Sequence, residues 1–176
     1  MRETDCPTVT VDPLRPLDPA RLGDHIDRLY RAAVGLCGSH ADAEDLVQET
    51  YVQVLRKPRL LRSDDDLGYL MRVLRNTFYS RYRSEARRPR ENPLEEHEEL
   101  VEGRPLAQPA AAAEASEVIA AVAALPEPYR ETVAAVDLAG LSYKEAARAL
   151  RTREGTVMSR LSRGREQVAD ALGYTS

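Results

Sequence analysis

Apolar residues recur at three- and four-residue intervals along two stretches of this chain, Arg21 to Arg88 and Glu117 to Leu172. Such spacing puts the apolar side chains on one stripe of a helix and leaves the opposite face polar. Between them, residues 89–116 carry Pro89, Pro93, Pro105 and Pro109, an acidic run and an alanine tract, and read as a flexible acidic linker. Residues 1–20, with Pro7, Pro13, Pro16 and Pro19, read as a disordered tail. The expected class is all-α: two small helical domains, 21–88 and 117–173, joined by that linker. Aromatic residues make up only 5% of the chain and Trp is absent, so its cores must be built from Ala, Leu and Val. That composition suits helices better than sheets.

Several function classes drop out early. No apolar run approaches the roughly 18–20 residues that span a bilayer, and the first residues lack the apolar segment of a signal peptide. A cytoplasmic protein without membrane insertion is expected. Cys6 and Cys37 have no metal-ligand or disulfide spacing, and His25, His40 and His97 are scattered. There is no nucleophile–base pair and no phosphate-binding glycine loop. The expectation is therefore no enzyme, no cofactor, no metal and no small-molecule substrate.

In the first block a helix is expected over Leu22, Ile26, Leu29, Tyr30, Ala33, Val34 and Cys37, ended by Gly38 and Ser39. A second runs from about Ala41 to Arg56, with Ala43, Leu46, Val47, Tyr51, Val54 and Leu55 inward. Lys57-Pro58 stops it. The acids of Arg62-Ser63-Asp64-Asp65-Asp66 then start a third, about Leu67 to Arg88.

The net charge of −4 hides a sharp division. Tyr69 to Arg90 holds seven arginines against Glu85 alone, whereas Glu91 to Glu117 holds eight glutamates against Arg104 alone. On the third helix Leu70, Val73, Leu74, Thr77 and Phe78 share one face. Arg72, Arg75, Asn76, Tyr79 and Arg83 share the other. Arginines interleaved with a tyrosine and an asparagine suit a nucleic-acid strand, through phosphate pairing, stacking and base-edge contacts. The alternative is a solvated charged face, for which lysine or glutamate would serve equally well. On the second helix Asp42, Asp45, Gln48 and Glu49, with Val52 beside them, form either a solvated acidic face or a docking surface for a basic partner helix.

The second block is sharper. Helices are expected over Glu117 to Leu125 and Pro128 to Leu138. In the stretch Ala139 to Leu150, Ser142 and Glu145 have the spacing of a capping box, and Ala146-Ala147 permits close packing. Arg151-Thr152-Arg153 then leads into a last helix starting near Glu154 to Thr156. This is helix-turn-helix spacing, in which the second helix enters the major groove. Val157, Leu161, Val168 and Leu172 point inward, with Gly164 for close packing. Thr156, Ser159, Ser162, Arg163 and Glu166 point out, and Arg163 has the reach to bond a guanine. Arg153, Arg160 and Arg165 flank this face, placed to neutralise phosphates.

Three stretches, Asp42 to Thr50, Tyr69 to Thr77 and Gly155 to Arg165, resemble in order the hallmark stretches of extracytoplasmic-function (ECF) sigma factors. The resemblance covers about Arg21 to Leu172. It implies a sigma2-like bundle and a sigma4-like helix-turn-helix domain. It further implies that Asp42, Asp45, Gln48 and Glu49 bind the β′ clamp coiled coil of core RNA polymerase, with the β flap as a second contact. Arg72, Arg75, Asn76 and Tyr79, with Arg83 beside them and the loop from Leu61 to Asp66, would capture flipped bases of the −10 element. Arg153, Thr156, Met158, Ser159, Arg160, Ser162 and Arg163 would read the −35 duplex, and an anti-sigma factor would be a further partner. Tyr69 stands where the family often has Trp, Arg151 where a turn glycine is common, and Met158 where Lys or Arg is frequent. The main alternative is a helix-turn-helix regulator acting without core polymerase. Such a protein would need an effector or receiver domain, normally with strands.

Overall fold

A computed structural model describes residues 15–56, 60–61, 65–87 and 109–174. Residues 1–14, the centre of the loop before the third helix (62–64) and most of the acidic linker lie outside the described residues, as do Cys6 and His97. The described fold is helical, apart from an antiparallel bridge of Arg15–Pro16 (β1) with Leu60–Leu61 (β2).

The first block begins with a 3₁₀ turn, Pro19–His25, capped by the Asp18 carboxylate accepting from the Ala20 N–H at 2.9 Å. Helix α1 follows over Ile26–Cys37 and ends where Gly38 takes φ 76°, a left-handed conformation that glycine adopts without strain. Helices α2 (His40–Arg56) and α3 (Asp66–Arg87) complete a three-helix bundle. Leu29, Leu36, Leu46, Leu70, Met71 and Leu74 are fully buried at its centre. The Tyr51 hydroxyl ties α2 to the 3₁₀ turn by donating to the Leu22 carbonyl at 2.9 Å. One face assignment on α2 changes: Leu55, expected inward, is 55% exposed, while Thr50 joins the buried side. Thr50 tolerates burial because its hydroxyl donates to the Leu46 carbonyl at 2.7 Å.

Residues 15–20, expected to belong to the tail, pack against the bundle. Leu17 is buried, and Arg15 pairs at 2.5 Å with Asp66, which is itself 2% exposed. One of the acids expected to start α3 thus anchors the incoming chain, while its neighbour Asp65 caps the helix by accepting from the Gly68 N–H at 2.7 Å.

The second block contains α4 (Pro109–Ala123), α5 (Glu127–Val133), a π turn (Ala134–Leu138), α6 (Tyr143–Ala149) and α7 (Glu154–Ala171). Helix α4 starts at Pro109, earlier than the expected Glu117, because proline is pre-set for the first helical turn and alanine has the highest helix propensity. The helix expected to Leu138 changes pitch after Val133, closing with the Ala139 N–H on the Ala134 carbonyl at 2.9 Å. Val122, Leu125, Val133 and Leu161 form a small local core. Gly164 is required there, since a Cβ would stand 2.8 Å from Val133 Cγ2.

The two blocks do not stand apart. One apolar cluster runs from Leu29, Ala32, Ala33 and Leu36 of α1 into Ala134, Ala135, Ala139 and Ala146 of the second block. Gly35 makes the approach possible, because any side chain there would meet Leu138. Arginines seal the rim. Arg28 donates to the carbonyls of Ala139 (2.7 Å) and Gly140 (2.6 Å), and Arg31 to that of Leu138 (3.1 Å). These are carbonyls at the end of a helical segment, which lack partners of their own.

Candidate nucleic-acid and polymerase interfaces

The helix-turn-helix forms as its local chemistry dictates. Ser142 Oγ accepts from the Glu145 N–H at 3.3 Å, and the Glu145 carboxylate accepts from the Ser142 N–H at 2.7 Å and hydroxyl at 2.6 Å. Those bonds hold the Glu145 carboxyl below the usual carboxylate range. Ala146, Ala147 and Ala149 are buried against the crossing helix. Arg151 turns the chain with φ 54°, and Arg153, extended at φ −91° and ψ 152°, leads into α7.

On α7, Val157, Leu161 and Gly164 are buried. Arg153, Met158, Ser159, Ser162 and Arg163 are exposed, and Thr156 is half-buried. This outward face combines short hydroxyls, a methionine that is 55% exposed, and arginine. Arg163 pairs with no carboxylate among the described residues. Arg160 does not join that face fully, because it leans inward to 3.8 Å from Glu131. Arg165, expected to flank the face, is held by Asp137 in a two-pronged pair at 2.5 and 3.0 Å.

The arginine face of α3 meets a more confined setting. Asn76 and Arg83 are exposed, but Arg72, Arg75 and Tyr79 are half-buried against the second block. Arg72 donates to the Arg148 carbonyl at 3.0 Å. Arg75 bonds to Glu131, lies 4.0 Å from Glu127, and stacks over the Tyr79 ring at 5.2 Å. Burial pushes the Tyr79 hydroxyl up to about 12. Glu131 is only 4% exposed, and its desolvation raises its carboxyl above the ordinary range, with Arg75 pulling it back. Its sequence signal was one of two acids, with Asp137, in the mostly apolar run from Tyr129 to Leu138.

Asp42, Asp45, Gln48 and Glu49 all lie exposed along α2. Val52 and Leu55 continue this face, 43% and 55% exposed. A purely solvated face has no need of two adjacent apolar side chains. An acidic stripe bordered by valine and leucine suits a docking surface instead. Arg81 of α3 approaches it, 4.0 Å from Glu49. No described helix is long and apolar enough to cross a membrane.

Residues 22–88 match the Sigma-70 region 2 family and residues 115–168 the Sigma-70, region 4 family. The chain is 35% identical over 154 residues to the ECF RNA polymerase sigma factor SigE of Mycolicibacterium smegmatis, covering 86% of this chain and 60% of that relative's length. It is 33% identical to the ECF RNA polymerase sigma factor EcfG of Rhodopseudomonas palustris (84% of this chain, 80% of the relative). Identity is also 33% to the ECF RNA polymerase sigma factor SigM of Mycobacterium tuberculosis (85% and 74%). Among solved structures, the fold is similar to the sigma factor RpoE from Bartonella quintana in complex with the anti-sigma factor NepR. That match has TM-score 0.66 and 24% identity, over 89% of this chain and 97% of that one. CnrH in complex with the cytosolic domain of CnrY gives TM-score 0.60 at 22% identity, over 89% and 88%.

Proposed function

Since the chain belongs to the ECF RNA polymerase sigma factor family, we propose that it binds core RNA polymerase in the cytoplasm and directs initiation at a defined set of promoters. In this reading residues 21–88 and 117–173 act as two domains with separate tasks. The α2 face of Asp42, Asp45, Gln48 and Glu49, extended by Val52 and Leu55, docks the β′ clamp coiled coil; the second block meets the β flap. Arg72, Arg75, Asn76, Tyr79 and Arg83 hold the opened −10 strand, arginines on phosphates and the tyrosine against an unpaired base. The outer face of α7 reads the −35 duplex in the major groove. Arg163 is suited to guanine, Met158 to a thymine methyl, and Arg153 and Arg160 to phosphates. The protein adds no catalysis; nucleotidyl transfer belongs to the polymerase. The two solved structures described above are complexes with a named partner, NepR or CnrY, which favours an anti-sigma partner for this chain too.

The observation that carries this reading is the exposed face of α7 around Arg163, which pairs with no carboxylate among the described residues, behind a capped helix-turn-helix, in a chain matching regions 2 and 4 in order. Run-off transcription with core polymerase on a genomic fragment library tests it. Added protein is expected to produce discrete transcripts that core enzyme alone does not make. Specific binding to promoter duplex without core, and no such transcripts, would favour the independent regulator instead.

A further inference from the structure

The carboxylate of Glu131 stands between the two candidate DNA-reading surfaces and engages both. It takes the Arg75 guanidinium of α3 on one oxygen, and Arg160 of α7 lies 3.8 Å from the other. Glu127, one turn earlier on α5, stands 4.0 Å from the same Arg75. Tyr79 lies under the Arg75 guanidinium, half-buried, and Arg72 is spent on the Arg148 carbonyl. Three of the five residues expected to hold single-stranded DNA are thus turned toward protein.

We propose that Glu131 is an internal stand-in for DNA phosphate, an autoinhibitory contact that keeps the free protein closed with its −10 face withheld. The inference rests on the reading of α3 and α7 as DNA-facing. A carboxylate and a phosphate both suit the fork of an arginine, so each can replace the other on Arg75 without leaving it unpaired. The exchange is finely balanced, because a buried ion pair gains little over the cost of drying its charges. Arg28 and Arg31 of α1 hold the same closure at a second place, through the Leu138, Ala139 and Gly140 carbonyls, none of which belongs to α3 or α7. Opening therefore has two independent points of control.

The test uses the full chain without polymerase. Fluorescence anisotropy measures its affinity for a labelled oligo-dT 20-mer, and small-angle scattering measures its radius of gyration. Glu131→Gln keeps the shape of the side chain and removes its charge; it is expected to tighten oligonucleotide binding about tenfold and to enlarge the radius. Arg28→Ala with Arg31→Ala is expected to move both readouts in the same direction. Arg75→Ala added to Glu131→Gln should cancel the gain. If both opened variants keep helical circular dichroism, the wild-type radius and the wild-type affinity, the contact is not inhibitory. Should Glu131→Gln fail to fold, the Arg28–Arg31 variant decides alone. The proposed function is judged separately: run-off transcripts from wild-type protein with unchanged binding by the variants would overturn the latch only. An absence of transcripts would overturn the promoter reading.

Discussion

Arg151 holds φ 54° in the turn between α6 and α7, the only non-glycine residue at positive φ among those described. An L side chain pays about 1–3 kcal/mol in that region, and Arg151 is exposed there. Arg151→Gly is expected to stabilise the protein by about 1 kcal/mol, allowing for glycine's greater freedom when unfolded, as read by urea unfolding. Two glutamates of the same block respond to pH in opposite senses. Burial lifts the Glu131 carboxyl, so the folded state keeps a proton that the unfolded chain has already lost. Stability from this group is therefore greatest at low pH and falls as pH rises through its raised value. Glu145, lowered by the hydroxyl and N–H of Ser142, contributes stability above the ordinary carboxylate range and loses it as pH falls through its lowered value. Urea midpoints followed from about pH 3 to pH 7 should lose their decline at the upper end in Glu131→Gln. In Glu145→Gln they should lose their rise at the lower end. An unchanged profile in either variant contradicts that assignment.

Helices α2 and α7 offer the cleanest separation of tasks, because their outward faces lie on different blocks. Arg163→Ala is expected to cost about 1–3 kcal/mol at one −35 base pair while core binding is unchanged. Transcription from promoters substituted position by position measures the first, and titration of core polymerase the second. Asp45→Lys should weaken core binding and depress all promoters alike; a promoter-selective defect would place Asp45 elsewhere. Most elements were legible in the residues because their signals are local. Ser142 and Glu145 announce α6, Gly38 ends α1, and the Lys57-Pro58 pair limits α2. The departures also have local causes. Pro109 and the alanine tract carry α4 further upstream than its apolar stripe does, and the π turn shifts register exactly where α1 packs against it.

At the scale of the molecule, the continuous cluster from Leu29 to Ala146 couples the two blocks. Calorimetry of the free protein should therefore give one cooperative transition with equal calorimetric and van't Hoff enthalpies. Two resolved transitions would mean that the blocks melt as separate units. The faces of α3 and α7 were visible from spacing alone, since helical periodicity fixes which side chains share a side. What lies opposite each face was not visible. The pairing of Arg75 with Glu131 joins positions far apart in the chain, and the Arg28 bonds to Ala139 and Gly140 cross a gap about twice as long. Asp66, the acid at the start of α3, is also the anchor of Arg15 for the same reason. Sequence alone settled most of the helices, the capping box of α6 and most polar sides, because those depend on neighbours within a turn or two. Only tertiary packing decided that an arginine face apt for DNA would be held by a carboxylate of its own chain, because long-range partners are chosen by how surfaces meet.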